Sequence, residues 1–229
     1  IVTSFNTAQP NVASGTEVQA VFKGSYPDTL TAAIAAFRAG QAPHIVQVFE
    51  VGTGTMLAAG GAVKQVWELV KETGVNINPD AFIPPVRGYY SLSDGRMASM
   101  PFNSSTAILW YNKDAFKRAG LDPNKAPATW PELIAAARAV KAKGASDVAL
   151  TTSWPTWIQL EEYSAIHNLP YATRANGFDG LDAELLINSP VHVHHVDRLL
   201  SLAKEGLIKY GGADSAAHPL LISRQAAVA

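Results

Sequence analysis

Apolar and polar positions along this chain follow two rhythms. From Tyr26 to Gly40, Leu30, Ala33, Ile34 and Phe37 recur at i, i+3, i+4 and i+7, with Pro27 and Asp28 in the first turn and Gly40 after the last. This spacing predicts an amphipathic helix. His44 to Phe49 is a short run rich in β-branched residues that ends at Glu50 and a Gly-Thr-Gly-Thr bend. It predicts a buried strand carrying a carboxylate at its end. Val63, Val66, Trp67 and Val70 return to helical spacing, and Met97–Met100 and Thr106–Tyr111 flank the PFNSS turn as two strands.

The clearest helix follows a proline-rich linker. Thr129 and Glu132 form a capping box, Pro131 sits in the first turn, Leu133, Ala136, Ala137 and Val140 make the apolar stripe, and Gly144 ends it. Asp147–Thr151 and Glu184–Ile187 read as further strands. Ser189 and Pro190 open a last helix, whose stripe of Val193, Val196, Leu199 and Leu200 puts His192 and His195 on the opposite, solvated side. Helices alternating with apolar strands imply an α/β protein with a mainly parallel sheet covered on both faces. At the ends, IVTSFN resembles the close of a helix, and the apolar run LLISRQAAVA stops without a cap or polar tail. Both suggest elements that continue further.

Composition narrows the function. The 229 residues are 48% hydrophobic and 16% charged, enough apolar material for one large or two small cores. A formal net charge of -1 supplies no electropositive field of the kind that nucleic acid or an anionic membrane surface would require. Cysteine is absent, which removes disulfides, thiolate metal sites and a cysteine nucleophile. No run of roughly 18 apolar residues could span a bilayer, and Ile1 opens no charged-then-apolar signal segment.

Catalytic patterns are weak. His192, His194, His195 and Asp197 loosely suggest a metal-hydrolase ligand cluster, but the helical stripe favours a structural reading with no metal. Gly52 and Gly54 lack the further residues of a dinucleotide loop or a P-loop, and read as a bend before a helix. Asn103-Ser104-Ser105 matches a glycosylation acceptor, a triplet common by chance. No Gly-x-Ser-x-Gly elbow or paired carboxylates stand out.

Binding chemistry is better represented. Trp130, Trp154, Trp157 and Tyr163 occupy loops or first helical turns, where aromatic faces can stack on a ligand or pack in the core. Glu50 at the end of a buried strand needs donors, and ligand hydroxyls can supply them. Tyr26 in the KGSYP turn and Ser105 in the PFNSST turn lie at comparable loop ends, where open α/β sheets place ligands.

Three strings carry a resemblance: FKGSYPDTLTAAIAAFRAGQAPHIVQVFEVGTGTM, GYYSLSDGRMASMPFNSSTAILWYNKDAFKRAGLDP and WIQLEEYSAIHNLPYATRANGFDG. Together they resemble the periplasmic glycerol-3-phosphate-binding proteins of ABC importers, and YNKDAFKRAGLDP with its following Thr-Trp helix is shared by the wider group of extracellular solute-binding proteins. The resemblance covers nearly the whole chain. It implies a two-lobed periplasmic-binding-protein fold of type II, here truncated at both ends, with residues 1–104 in a first lobe and 105–229 in the hinge crossing and second lobe. It further implies a periplasmic, monomeric receptor without cofactor. Such a receptor closes an inter-lobe cleft on glycerol-3-phosphate or a glycerophosphodiester and delivers it to membrane permease subunits. On this pattern the glycerol-end ligands match Tyr26, Glu50 and Ser105, the cleft tryptophan matches Trp130, and the phosphate ligands lie beyond Ala229. A sugar or oligosaccharide receptor of the same fold is the main alternative, and a metal-dependent hydrolase the remote one.

Overall fold

Short polar signals start the main helices of the computed structural model, which describes residues 1–229. The chain divides into two units, Ile1–Met100 and Pro101–Ala229.

The first unit is helical: α1 (Val2–Thr7), α2 (Gln9–Ser14), α3 (Tyr26–Arg38), α4 (Glu50–Ala58), α5 (Val66–Thr73) and α6 (Pro84–Tyr89). Ser25 caps α3, its Oγ accepting from the Asp28 backbone N–H while Asp28 accepts from the Ser25 N–H at 2.9 Å. The Ser25 hydroxyl also donates to the Asp28 carboxylate at 2.6 Å, and this bond, with the one from the Ser25 N–H, holds that carboxyl below its ordinary range. Helix α5 begins with the same reciprocal device, Gln65 with Glu68, and Arg96 lies over the Trp67 ring at 4.3 Å. The backbone N–H groups of Val66 and Trp67 donate to the carbonyls of Ala98 and Met97.

Three expectations fail in this unit. His44–Phe49 forms no strand, and Ile45 is 83% exposed. A strand exists only as a member of a ladder, and nothing in this unit pairs with the run. Gly52 and Gly54 belong to α4 itself, where a Cβ on Gly52 would meet Val48, Leu30 and Phe49 at 3.0–3.4 Å. Met97–Met100 contributes a single bridge, between Ser91 and Met97.

The second unit builds a sheet. Its elements are α7 (Lys113–Arg118), α8 (Trp130–Ala142), β1 (Val148–Ser153), a π-helical segment Trp157–Glu162 that runs into α9 (Tyr163–Ile166), α10 (Thr173–Asn176), α11 (Pro190–Lys204), β2 (Ile208–Gly212), α12 (His218–Ile222) and β3 (Ala226–Val228). The strand order is β2-β1-β3, and both pairings are parallel. Beside β3 the chain at Trp110–Asn112 runs antiparallel, Trp110 and Ala229 exchanging backbone bonds of 2.8 and 2.9 Å. This is all that remains of the strand expected over Thr106–Tyr111. Glu184–Ile187 likewise contributes one bridge, from Leu185 to Ala172.

Helix α8 follows its sequence closely. Thr129 Oγ accepts from the Glu132 N–H, Glu132 accepts from the Ala128 N–H at 2.8 Å, and Leu133, Ala136, Ala137 and Val140 are buried. These side chains join Phe116, Leu150, Leu202 and Val228 in one core. Fully burying a valine, leucine or phenylalanine side chain contributes about 1.5–3 kcal/mol, and an alanine methyl less.

Helix α11 is rotated from its expected register. His192 and His195 are buried to 1% exposure, whereas Val196 and Leu200 are half exposed. The imidazoles can go inside because partners meet them there: Ser164 and Ser189 for His192, Gln159 and the Tyr163 ring for His195. A hydrogen-bonded imidazole stacked on a phenol ring tolerates burial that an unpaired one would not.

Candidate functional site

In the first unit, Tyr26 is the first residue of α3, and its ring stacks on Phe49 at 5.3 Å with an 8° interplanar angle. Phe49 is the N-cap of α4, so the stack places Tyr26 next to Glu50, the first residue of that helix. Glu50 is exposed and opens a helix instead of closing a buried strand. Its carboxylate is therefore solvated, and it needs no ligand to be tolerated. Its backbone carbonyl accepts from the Tyr89 hydroxyl at 2.8 Å. Tyr90 packs edge-on against Tyr89, and burial, the Glu50 carboxylate and Tyr26 together push its phenol above its ordinary value. Two phenols and one carboxylate thus converge within this unit. Sequence reasoning missed Tyr90, because nothing in the local pattern of GYYSLSDG brings it to Glu50. The hydrogen bond between Tyr89 and Glu50, 39 residues apart, helps to do so.

In the second unit, Ser105 is exposed and lies outside the helices and strands. Trp130 is the first residue of α8, partly buried, with Arg198 over its ring at 5.4 Å and His195 edge-on at the same distance. Its indole is thus held by protein groups. Tyr163 is buried and stacked on His195 at 3.8 Å, which makes it a core residue.

Trp154 and Trp157 are placed differently. Strand β1 ends at Ser153, and Trp154 follows with φ of 50°, a left-handed conformation that costs a non-glycine residue about 1–2 kcal/mol. It precedes Pro155, itself a restriction on its backbone. Trp157 packs edge-to-face on Trp154 at 6.2 Å and begins the π-helical segment. Strained backbone and π turns concentrate at functional positions, and the carboxyl end of a parallel strand is where open α/β sheets receive ligands.

No group of three or more His, Asp or Glu side chains is arranged to hold a metal ion. No helix is long and apolar enough to cross a membrane.

The profile of bacterial extracellular solute-binding proteins matches residues 7–229, and the chain belongs to that family. It is a family of binding proteins, not of enzymes. The sn-glycerol-3-phosphate-binding periplasmic protein UgpB of Brucella suis biovar 1 is 47% identical over 224 residues, which are 98% of this chain and 51% of that protein. Its counterpart in Rhizobium meliloti is 46% identical over the same span, and that of Yersinia pestis 46% identical over 93% of this chain and 47% of its own length. The chain thus spans about half the length of the curated relatives it matches. Among solved structures, an ABC substrate-binding protein from Listeria monocytogenes in complex with cycloalternan superposes with a TM-score of 0.70 at 21% identity, covering 99% of this chain and 55% of that one. A solute-binding protein from Thermotoga lettingae bound with α-D-tagatose gives 0.70 at 19% identity over 95% of this chain and 55% of its own. These likenesses establish the fold as that of the type II periplasmic binding proteins.

Proposed function

We propose that this chain belongs to the periplasmic receptor of an ABC importer, which captures glycerol-3-phosphate or a glycerophosphodiester and presents it to membrane permease subunits. The observation that carries the reading is the 44–47% identity, over nearly the whole chain, to relatives named for sn-glycerol-3-phosphate binding. The geometry of the first unit supports it. Glu50 offers a carboxylate acceptor to ligand hydroxyls, and Tyr26 and Tyr90 stand beside it as hydroxyl donors. Charge-assisted bonds of this kind contribute about 1.5–3 kcal/mol each.

From the second unit, Ser105 and Trp130 enter the proposal on the family resemblance. Trp154 and Trp157 enter on geometry and are the better stacking surface for the carbon skeleton, because Arg198 and His195 already flank Trp130. Capture requires no cofactor.

A receptor for a sugar is the second reading, favoured by the cycloalternan and tagatose complexes among the structural neighbours. A thermal-shift panel on the protein at the length of its relatives separates the two. A ligand at 100 times its Kd stabilises by about 2.7 kcal/mol, so glycerol-3-phosphate should raise the melting temperature by several degrees and maltose or tagatose should not. A shift with the sugars alone would replace the first reading by the second.

A further inference from the structure

The π-helical segment that starts at Trp157 is fastened to two other elements by polar side chains, Gln159 half-buried among them. Gln159 Nε2 donates to Thr152 Oγ1 on β1 at 2.8 Å, which turns Gln159 Oε1 toward His195 Nε2 on α11 at 3.0 Å. His195 therefore carries its proton on Nε2 and donates it to Gln159, leaving Nδ1 buried without a partner. Just past the segment, Ser164 Oγ donates to the Leu160 carbonyl at 2.6 Å and accepts from His192 Nε2 at 2.8 Å, while His192 Nδ1 accepts from Ser189 Oγ at 2.7 Å. Tyr163 lies flat on His195, 13° from parallel. A π turn is less favourable than the α-helix it interrupts, and persists where its surroundings over-determine it. Here they do so through one glutamine that reaches both β1, which leads into Trp154, and α11.

We propose that His195, acting through Gln159, is a positioning residue for the Trp154–Trp157 pair. It fixes the roll of the π-helical segment, and with it the angle at which Trp157 meets Trp154. The role in binding rests on the reading of these tryptophans as a ligand surface; the positioning itself does not.

The test measures near-ultraviolet circular dichroism of the ligand-free protein at the length of its relatives, with Trp157→Phe identifying the share of the signal that belongs to the pair. Calorimetry with glycerol-3-phosphate is run beside it. His195→Leu, which cannot donate, should abolish the Trp157-dependent signal and weaken affinity about tenfold. His195→Gln, whose amide can still reach Gln159, should retain most of both. A folded His195→Leu protein with an unaltered Trp157-dependent signal would overturn the proposal, as would equal loss in the Leu and Gln variants, which would reduce His195 to packing. If His195→Leu does not fold, Gln159→Leu leaves the Tyr163–His195 stack in place and carries the same comparison. If wild type gives no heat with glycerol-3-phosphate while His195→Leu loses the signal and His195→Gln keeps it, the ligand reading fails and the positioning role stands.

Discussion

Lowering the pH should destabilise this protein through His195 before most carboxylates titrate. Burial is the main cause that holds its pKa down from 6.5 to about 4, with Arg198, His167, His192 and His194 adding repulsion against a second cation. A depressed histidine pKa means that the folded state binds fewer protons than the unfolded chain between these values, so stability rises with pH there. The contribution is complete above pH 6.5 and is lost as pH falls through 4. Integrating the two titrations gives a loss of about 2 kcal/mol between pH 7 and pH 5, and about 3 kcal/mol by pH 4. His195→Gln carries no proton to bind and keeps a donor toward Gln159. Urea unfolding at pH 7, 6, 5 and 4.5, followed by tryptophan fluorescence, should therefore give a wild-type stability that falls more steeply than the variant's, by about 2 kcal/mol over pH 7 to 5. The two proteins differ only at position 195, so the difference between their profiles reports that residue. Parallel pH profiles would refute the burial of a neutral His195.

Glu50→Gln preserves shape but removes the charge, and should weaken glycerol-3-phosphate binding by about tenfold or more in calorimetry. Trp154→Ala should weaken it comparably, whereas Trp154→Gly, which relieves the left-handed backbone, should melt above the alanine variant. Phe116→Ala, emptying a site 2% exposed and packed against Tyr111, should cost about 3–5 kcal/mol in chemical denaturation. Thr129→Ala removes the cap of α8 and should cost about 1 kcal/mol by the same measurement.

Local signals sufficed where one element settles its own conformation. Helices α3 and α8 were legible because each has a proline and an acidic residue in its first turn, a regular apolar stripe and a closing glycine. The His44–Phe49 run was not, because apolar β-branched residues specify a strand only when a partner completes the ladder. Helix α11 was legible as a helix but not in its rotation: its valines suggested one inward face, and the bonds to Ser164 and Gln159 from distant segments selected the other. Of the proposed site residues, Tyr26 and Glu50 were singled out from their sequence positions, although the Glu50 carboxylate is solvated at a helix start. Tyr90 required a contact across 39 residues, and the special backbone of Trp154 leaves only the Trp-Pro dipeptide as its trace in the sequence.

The most direct test of the proposed function is a calorimetric titration of the protein, at the length of its relatives, with glycerol-3-phosphate and separately with glycerol. The account predicts saturable one-to-one binding of glycerol-3-phosphate that weakens in Glu50→Gln, with glycerol bound far more weakly. Absence of heat with glycerol-3-phosphate in a folded protein, or binding indifferent to Glu50→Gln, would contradict it.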